Sequence, residues 1–173
     1  MAIAETQERH YVVFGIAGRR CALVREAVRG LLPLPNLWRP PGTPQILAGF
    51  VNVAGDAVAV LDLKRLFGLA ADVSDKESEF YRHLILVDGV LSDRPVALLV
   101  DRVQAVTRLP DDVLQPLTGD ASQNGVLEAE AAVDGELVHI LSLSRLLLDA
   151  ERAGLADLER EAAARIGEWA GAS

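Results

Sequence analysis

Two apolar runs, residues 46–53 and 57–63, are separated only by Ala54-Gly55-Asp56, a spacing that leaves room for little except a tight hairpin. The second run carries Val58, Val60, Leu61 and Leu63, the composition of a strand pressed into a core. Gly55 supplies the positive φ that a sharp turn often needs, and Asp56 is expected to hydrogen-bond to nearby backbone amides. Residues 62–69 predict one helical turn, with Asp62 near its N-cap and Gly68 just past its end.

Similar units precede and follow this hairpin. Residues 10–16 and 21–24 flank a predicted turn at Ala17-Gly18-Arg19-Arg20, and residues 25–29 read as one helical turn with Val28 facing inward. Pro33, Pro35, Pro40, Pro41 and Pro44 forbid a regular helix across 31–44. Residues 70–80 form a polar connector, expected to be a mobile surface loop. Strands are predicted at 82–90, 96–100 and 103–108, with a turn at Ser92-Asp93-Arg94-Pro95. Residues 109–124 are turn-rich and polar apart from Leu114 and Leu117. Asp134-Gly135 signals a further hairpin between 125–133 and 136–143, and residues 142–148 start a short helix directly after it.

Many short strands with punctuating turns predict a mostly β chain. Each half closes on a hairpin and a short helix, at 62–67 and at 142–148. That echo predicts two similar small barrels within residues 10–148, roughly 10–80 and 81–148, with strands able to cross between them. Residues 1–9 are polar and expected to be loose.

The tail, 149–173, has a different period. Leu155, Leu158, Ala162, Ile166 and Trp169 recur at spacings of three and four, one face of an amphipathic helix. Glu151, Arg152, Asp157, Glu159, Arg160 and Glu161 are assigned to the remaining faces. So thin a stripe packs either on the chain's own barrels or on a partner or second copy, and an exposed Trp169 would favour the second.

Composition narrows the partners. A net charge of −8 argues against a nucleic-acid backbone or an anionic membrane. Residues 1–8 lack the basic and apolar segments of a signal peptide, and no apolar run approaches the roughly 20 residues of a membrane helix. The single cysteine, Cys21, excludes an intramolecular disulfide and fits a reducing compartment, so a soluble cytoplasmic domain is expected.

No catalytic or metal-binding constellation stands out. His10, His83 and His139 lie in or beside predicted strands, without helical i, i+4 spacing or a neighbouring cysteine, so no zinc site is expected. Cys21, inside an apolar run, reads as a buried inert thiol. There is no nucleophile elbow, phosphate loop or dinucleotide fingerprint, and hence no cofactor is expected. Asp62 and Asp101 both follow aliphatic strands, where a capping or strand-end role outweighs an acid–base pair.

The set Gly49, Val51, Asn52, Gly55, Val58, Val60, Leu61, Asp62, Leu63, Leu66 and Gly68 resembles the signature of CheW-like domains, the coupling adaptors of bacterial chemosensory systems. Further matches extend it to residues 11–148: Phe14, Gly18, Cys21-Ala22-Leu23 and Val28, then Val96 through Asp101, then Gly125, Gly135, Leu137, Ile140, Leu141, Leu143 and Leu147. The resemblance implies two five-stranded SH3-like β-barrel lobes sharing a hydrophobic interface, and no enzymatic activity. It also implies two partners: a histidine kinase regulatory domain of the same fold, and the cytoplasmic tip of a chemoreceptor. By the same analogy the partner contacts fall on Asn52, Val53, Ala54, Gly55 and Asp56, followed by Val28 and Gly30.

Two positions depart from the family pattern. Members usually carry Arg directly before the turn glycine, where this chain has Ala54, and commonly Glu two residues after the position of Val28, where it has Gly30. Neither residue fills a core, so the departures bear on the receptor contact and not on the fold. They set a coupling adaptor beside a stand-alone scaffold or regulator that no longer binds chemoreceptors.

Overall fold

The computed structural model describes residues 5–69, 82–91, 93–122 and 125–170. The connector expected at 70–80 and Ser92 of the expected turn lie outside the described residues, as do the side chains of Ile166 and Trp169. Hairpins form where a small residue precedes glycine or Asp precedes it. Ala17-Gly18, Ala54-Gly55 and Asp134-Gly135 take φ of 48° and 78°, 51° and 93°, and 52° and 80°. Positive φ at both central residues gives a turn whose twist matches that of the strands it joins.

These turns connect β1 (Glu8–Ile16) to β2 (Arg19–Val24), β4 (Leu47–Val53) to β5 (Asp56–Asp62), and β10 (Leu127–Val133) to β11 (Glu136–Leu141). The first turn is two residues long, not four: Arg19 already pairs with Ile16. The other strands are β3 (Val28–Pro33), β6 (His83–Val87), β7 (Val96–Val100), β8 (Arg102–Pro110) and the two-residue β9 (Gln115–Pro116). The helical turn expected at 25–29 is a shorter 3-10 turn, Arg25–Ala27, and Val28 is already extended.

Two sheets result, with strand orders β3-β6-β7-β5-β4 and β8-β1-β2-β11-β10-β9. Strands do cross between the stretches 10–80 and 81–148: β1 and β2 join the later strands, and β6 and β7 the earlier ones. The five-stranded sheet comes from one continuous segment, β3 to β7, and the six-stranded sheet closes around it with β1 and β2 from before and β8–β11 from after. The internal echo is real at this level. Each closing hairpin meets the other hairpin of its sheet through one parallel pair, β5 with β7 and β11 with β2.

Alternating side chains along the strands feed three cores. Tyr11, Val13, Ala22 and Val138 fill the core of the six-stranded lobe, and Val58, Val60, Leu84, Ala97 and Leu99 that of the five-stranded lobe. The opposite faces of the same strands, with Phe14, Ile16, Leu23, Phe50, Leu61, Ile85 and Leu98, meet in a third core shared by both. Strands buried on both faces read as continuous apolar runs. Cys21 lies in this shared core, where burial pushes its thiol up to about 12 and leaves it unreactive.

After β5, the short helix α1 (Leu63–Leu66) is capped at both ends. The Asp62 carboxylate accepts from the N–H groups of Lys64 and Arg65 at 3.0 and 3.4 Å. Gly68 N–H donates to Arg65 and Leu69 N–H to Lys64, with Gly68 at φ 66°, which completes a Schellman ending. Asp62→Ala is expected to destabilise the protein by about 1–2 kcal/mol in urea melts. The equivalent Ser142 makes no cap hydrogen bond, and the helix expected at 142–148 is only a 3-10 turn, Leu143–Arg145.

The C-terminal helix α2 (Asp149–Ala170) packs on its own domain: Leu155 and Ala162 join the shared core, and Leu158 rests against it. Glu159, expected among the outward residues, is 5% exposed. It stands four residues after Leu155 and three before Ala162, and so on their face.

Candidate partner-binding site

The β4–β5 turn is held by its own side chain: Asn52 Oδ1 accepts from Gly55 N–H at 2.8 Å. Asp56, expected in that role, has no such bond among the described contacts and is exposed, as are Asn52, Ala54 and Gly55. Val53 is half-buried. A side chain at the Ala54 position is therefore presented outward at φ 51°, a conformation that L-residues adopt at a cost of about 1 kcal/mol.

Beside this turn runs a groove of about 550 Å³, lined among others by Val53, Ala54, Asp56, Arg29, Arg94 and Glu159. Of the residues expected to make partner contacts, the turn supplies this wall. Val28 does not line it: it is half-buried and packs on the shared core. Gly30 does not line it either, but sits opposite the groove residue Leu86 in the β3–β6 ladder. The register slips between Val28 and Gly30, so Arg29 is a bulge residue, a position that re-aims a side chain. Arg29 reaches the groove and pairs with Asp88 at 2.8 Å.

The far wall belongs to α2. Glu159 pairs with Arg94, which also lies 4.0 Å from Asp93. Burial raises the Glu159 carboxyl to about 7; Arg94 pulls it down and Asp93 pushes it up. Sequence reasoning missed Arg29, Arg94 and Glu159. The inward position of Glu159 was legible in the helical spacing, but its partner on a distant turn was not.

Elsewhere, Asp101 accepts from Ala17 N–H at 2.7 Å and pairs with Lys64 at 2.7 Å, with Arg82 at 3.9 Å. It is a structural staple at the strand end, as its position suggested. Among the described residues no cluster of His, Cys, Asp and Glu could hold a metal ion, and no helix is long and apolar enough to cross a membrane.

The family model of the CheW-like domain matches residues 10–151. "Protein FrzA" of Myxococcus xanthus is 26% identical over 159 residues, covering 90% of this chain and 96% of that protein. The "Probable chemotaxis protein CheW" of Rhizobium etli is 26% identical over 154 residues, covering 83% of this chain and 90% of the relative. The crystal structure of the scaffolding protein TtCheW from Thermoanaerobacter tengcongensis superposes with a TM-score of 0.72 at 21% identity, over 86% of this chain and 94% of that one, a likeness of fold. With both lobes matched, the chain belongs to the CheW-like domain family of non-enzymatic chemotaxis scaffold proteins.

Proposed function

We propose that this protein is a cytoplasmic coupling adaptor that joins a histidine kinase regulatory domain to a receptor through the β4–β5 turn and the groove beside it. The observation that carries this reading is the exposed turn itself. Asn52 spends its side chain on holding Gly55, and the neighbouring wall carries Arg29 and Arg94. A fixed turn beside a charged groove suits selective protein contacts. An adaptor of this kind works by differing contacts in two states of its assembly, which amounts to a coupling free energy between its sites.

A pull-down from native lysate with this protein as bait, read by mass spectrometry, tests the reading. Recovery of a receptor together with a histidine kinase supports it. A kinase or another regulator without any receptor supports the second reading, a scaffold released from receptors, which the absence of side-chain charge at Gly30 and Ala54 favours.

The two departures are tested together. A Cβ added at Gly30 meets nothing within 4 Å, and Ala54 is exposed, so the fold accepts Gly30→Glu with Ala54→Arg. The double variant is expected to bind the native partner as well as the wild type or more weakly, because that surface has adapted to carry neither charge. A gain of about tenfold or more in a binding titration would overturn this.

A further inference from the structure

Among the described residues the buried polar or charged side chains are Asp62 and Glu159. Asp62 caps α1, whereas Glu159 sits on the groove wall and meets Arg94 across it. From residue 159 to residue 165 the buried side chains of α2 are only Glu159 and Ala162, a carboxyl and a methyl group. Beyond them Arg165 lies over the Trp38 ring, 6.0 Å from its centroid, a contact made near the surface. Over residues 159–165 the seat therefore rests on one small apolar group and one ionisable group. The same segment also forms one wall of the groove whose opposite wall is the β4–β5 turn.

We propose that residues 159–165 of α2 form a proton-sensitive latch on the partner groove, seated when Glu159 is neutral, loosened when it is ionised, and displaced by the partner. The proposal rests on the reading of the β4–β5 turn as a partner site and supplies its regulation. The sign follows from linkage. A released Glu159 ionises near 4.5, whereas the seated one holds its proton up to about 7. Seating is thus strongest in acid and weakens as the pH rises through 7. Arg94 and Asp93, from the turn before β7, act on Glu159 directly; the other charged groups lining the groove are Arg29 from β3, Asp56 from the hairpin and Arg160 on the helix, of which Arg29 pairs with Asp88 and Arg160 with Asp157. Arg94 moderates the effect without cancelling it, since burial outweighs its attraction and Asp93 opposes it.

Amide hydrogen exchange on the full chain tests the latch without a partner. Protection factors at residues 159–165 should fall about tenfold between about pH 5.5 and pH 8, with those of β7 unchanged, and Glu159→Gln should abolish the fall. Binding to the two-barrel regulatory domain of a chemosensory histidine kinase from the same organism is then titrated at about pH 8. Glu159→Gln should weaken it at least about threefold, and adding Ala162→Asp, which unseats the helix from a position that does not line the groove, should restore it. Protection that ignores pH in the wild type overturns the latch, and so does Glu159→Gln binding as the wild type does. A wild type that fails to bind the domain at all overturns instead the reading on which the latch depends.

Discussion

Gly49→Ala is expected to cost about 3 kcal/mol or more, among the largest losses available to a single added methyl group here. Gly49 sits at φ 149°, a backbone region essentially closed to other residues, and a Cβ there would stand 2.7 Å from the Trp38 carbonyl oxygen. That contact cannot yield cheaply, because the oxygen is backbone and is already engaged. Phe50 N–H donates to it at 2.7 Å, and Trp38 N–H returns a bond to Phe50 at 2.9 Å. This bridge lays the proline-rich segment along the free edge of β4, an edge that would otherwise expose unpaired backbone groups. Trp38 also leans on the Phe50 ring, with centroids 5.9 Å apart. Chemical denaturation should show the loss, and for a domain of this size Tm should drop by roughly 6–12 °C. Gly30→Ala is the control: its Cβ enters open space at a position without positive φ, so stability should change by less than about 0.5 kcal/mol.

Asp101→Ala is expected to be the second large loss, about 2–3 kcal/mol. Asp101 stands where the chain passes from β7 in one sheet to β8 in the other. One oxygen accepts from Ala17 in the β1–β2 turn and the other meets Lys64 of α1, so a single carboxylate ties both lobes. Its removal strands Lys64 and Arg82, whose side chains are only 16% and 19% exposed. Partial exposure keeps the figure below that for breaking a fully buried pair. Asp101→Asn retains an acceptor for the Ala17 N–H while losing the charge, and should recover about half of the loss. A double-mutant cycle with Lys64→Met, read by urea melts, should show a coupling of about 1 kcal/mol. Additive effects would mean that the ion pair contributes nothing and the Ala17 bond everything.

Both positions illustrate how differently the chain discloses its parts. Local conformation was readable because it depends on neighbours in sequence. Ala54-Gly55 and Asp134-Gly135 turn where φ must be positive, and Asp62 and Gly68 bracket α1 as expected. The order of these units carried the family resemblance, which the match over residues 10–151 bears out. Not every local expectation held: the turn at 17–20 proved to be two residues, and Ser142 did not cap a helix.

What only the tertiary structure decided is which units become neighbours. Strands such as β6 and β7 are apolar on both faces, so the alternation that normally marks a core side is erased, and the sequence cannot say which face meets which lobe. The nesting of one sheet's segment inside the other's depends on pairings between strands far apart in the chain, as in β1 with β8. The same holds for the groove. The β4–β5 turn was recognisable from its residues, but Arg29, Arg94 and Glu159 come from three distant segments. Their juxtaposition is set by packing, since a charge acts on whatever group the fold brings within a few ångströms, however far apart the two stand along the chain.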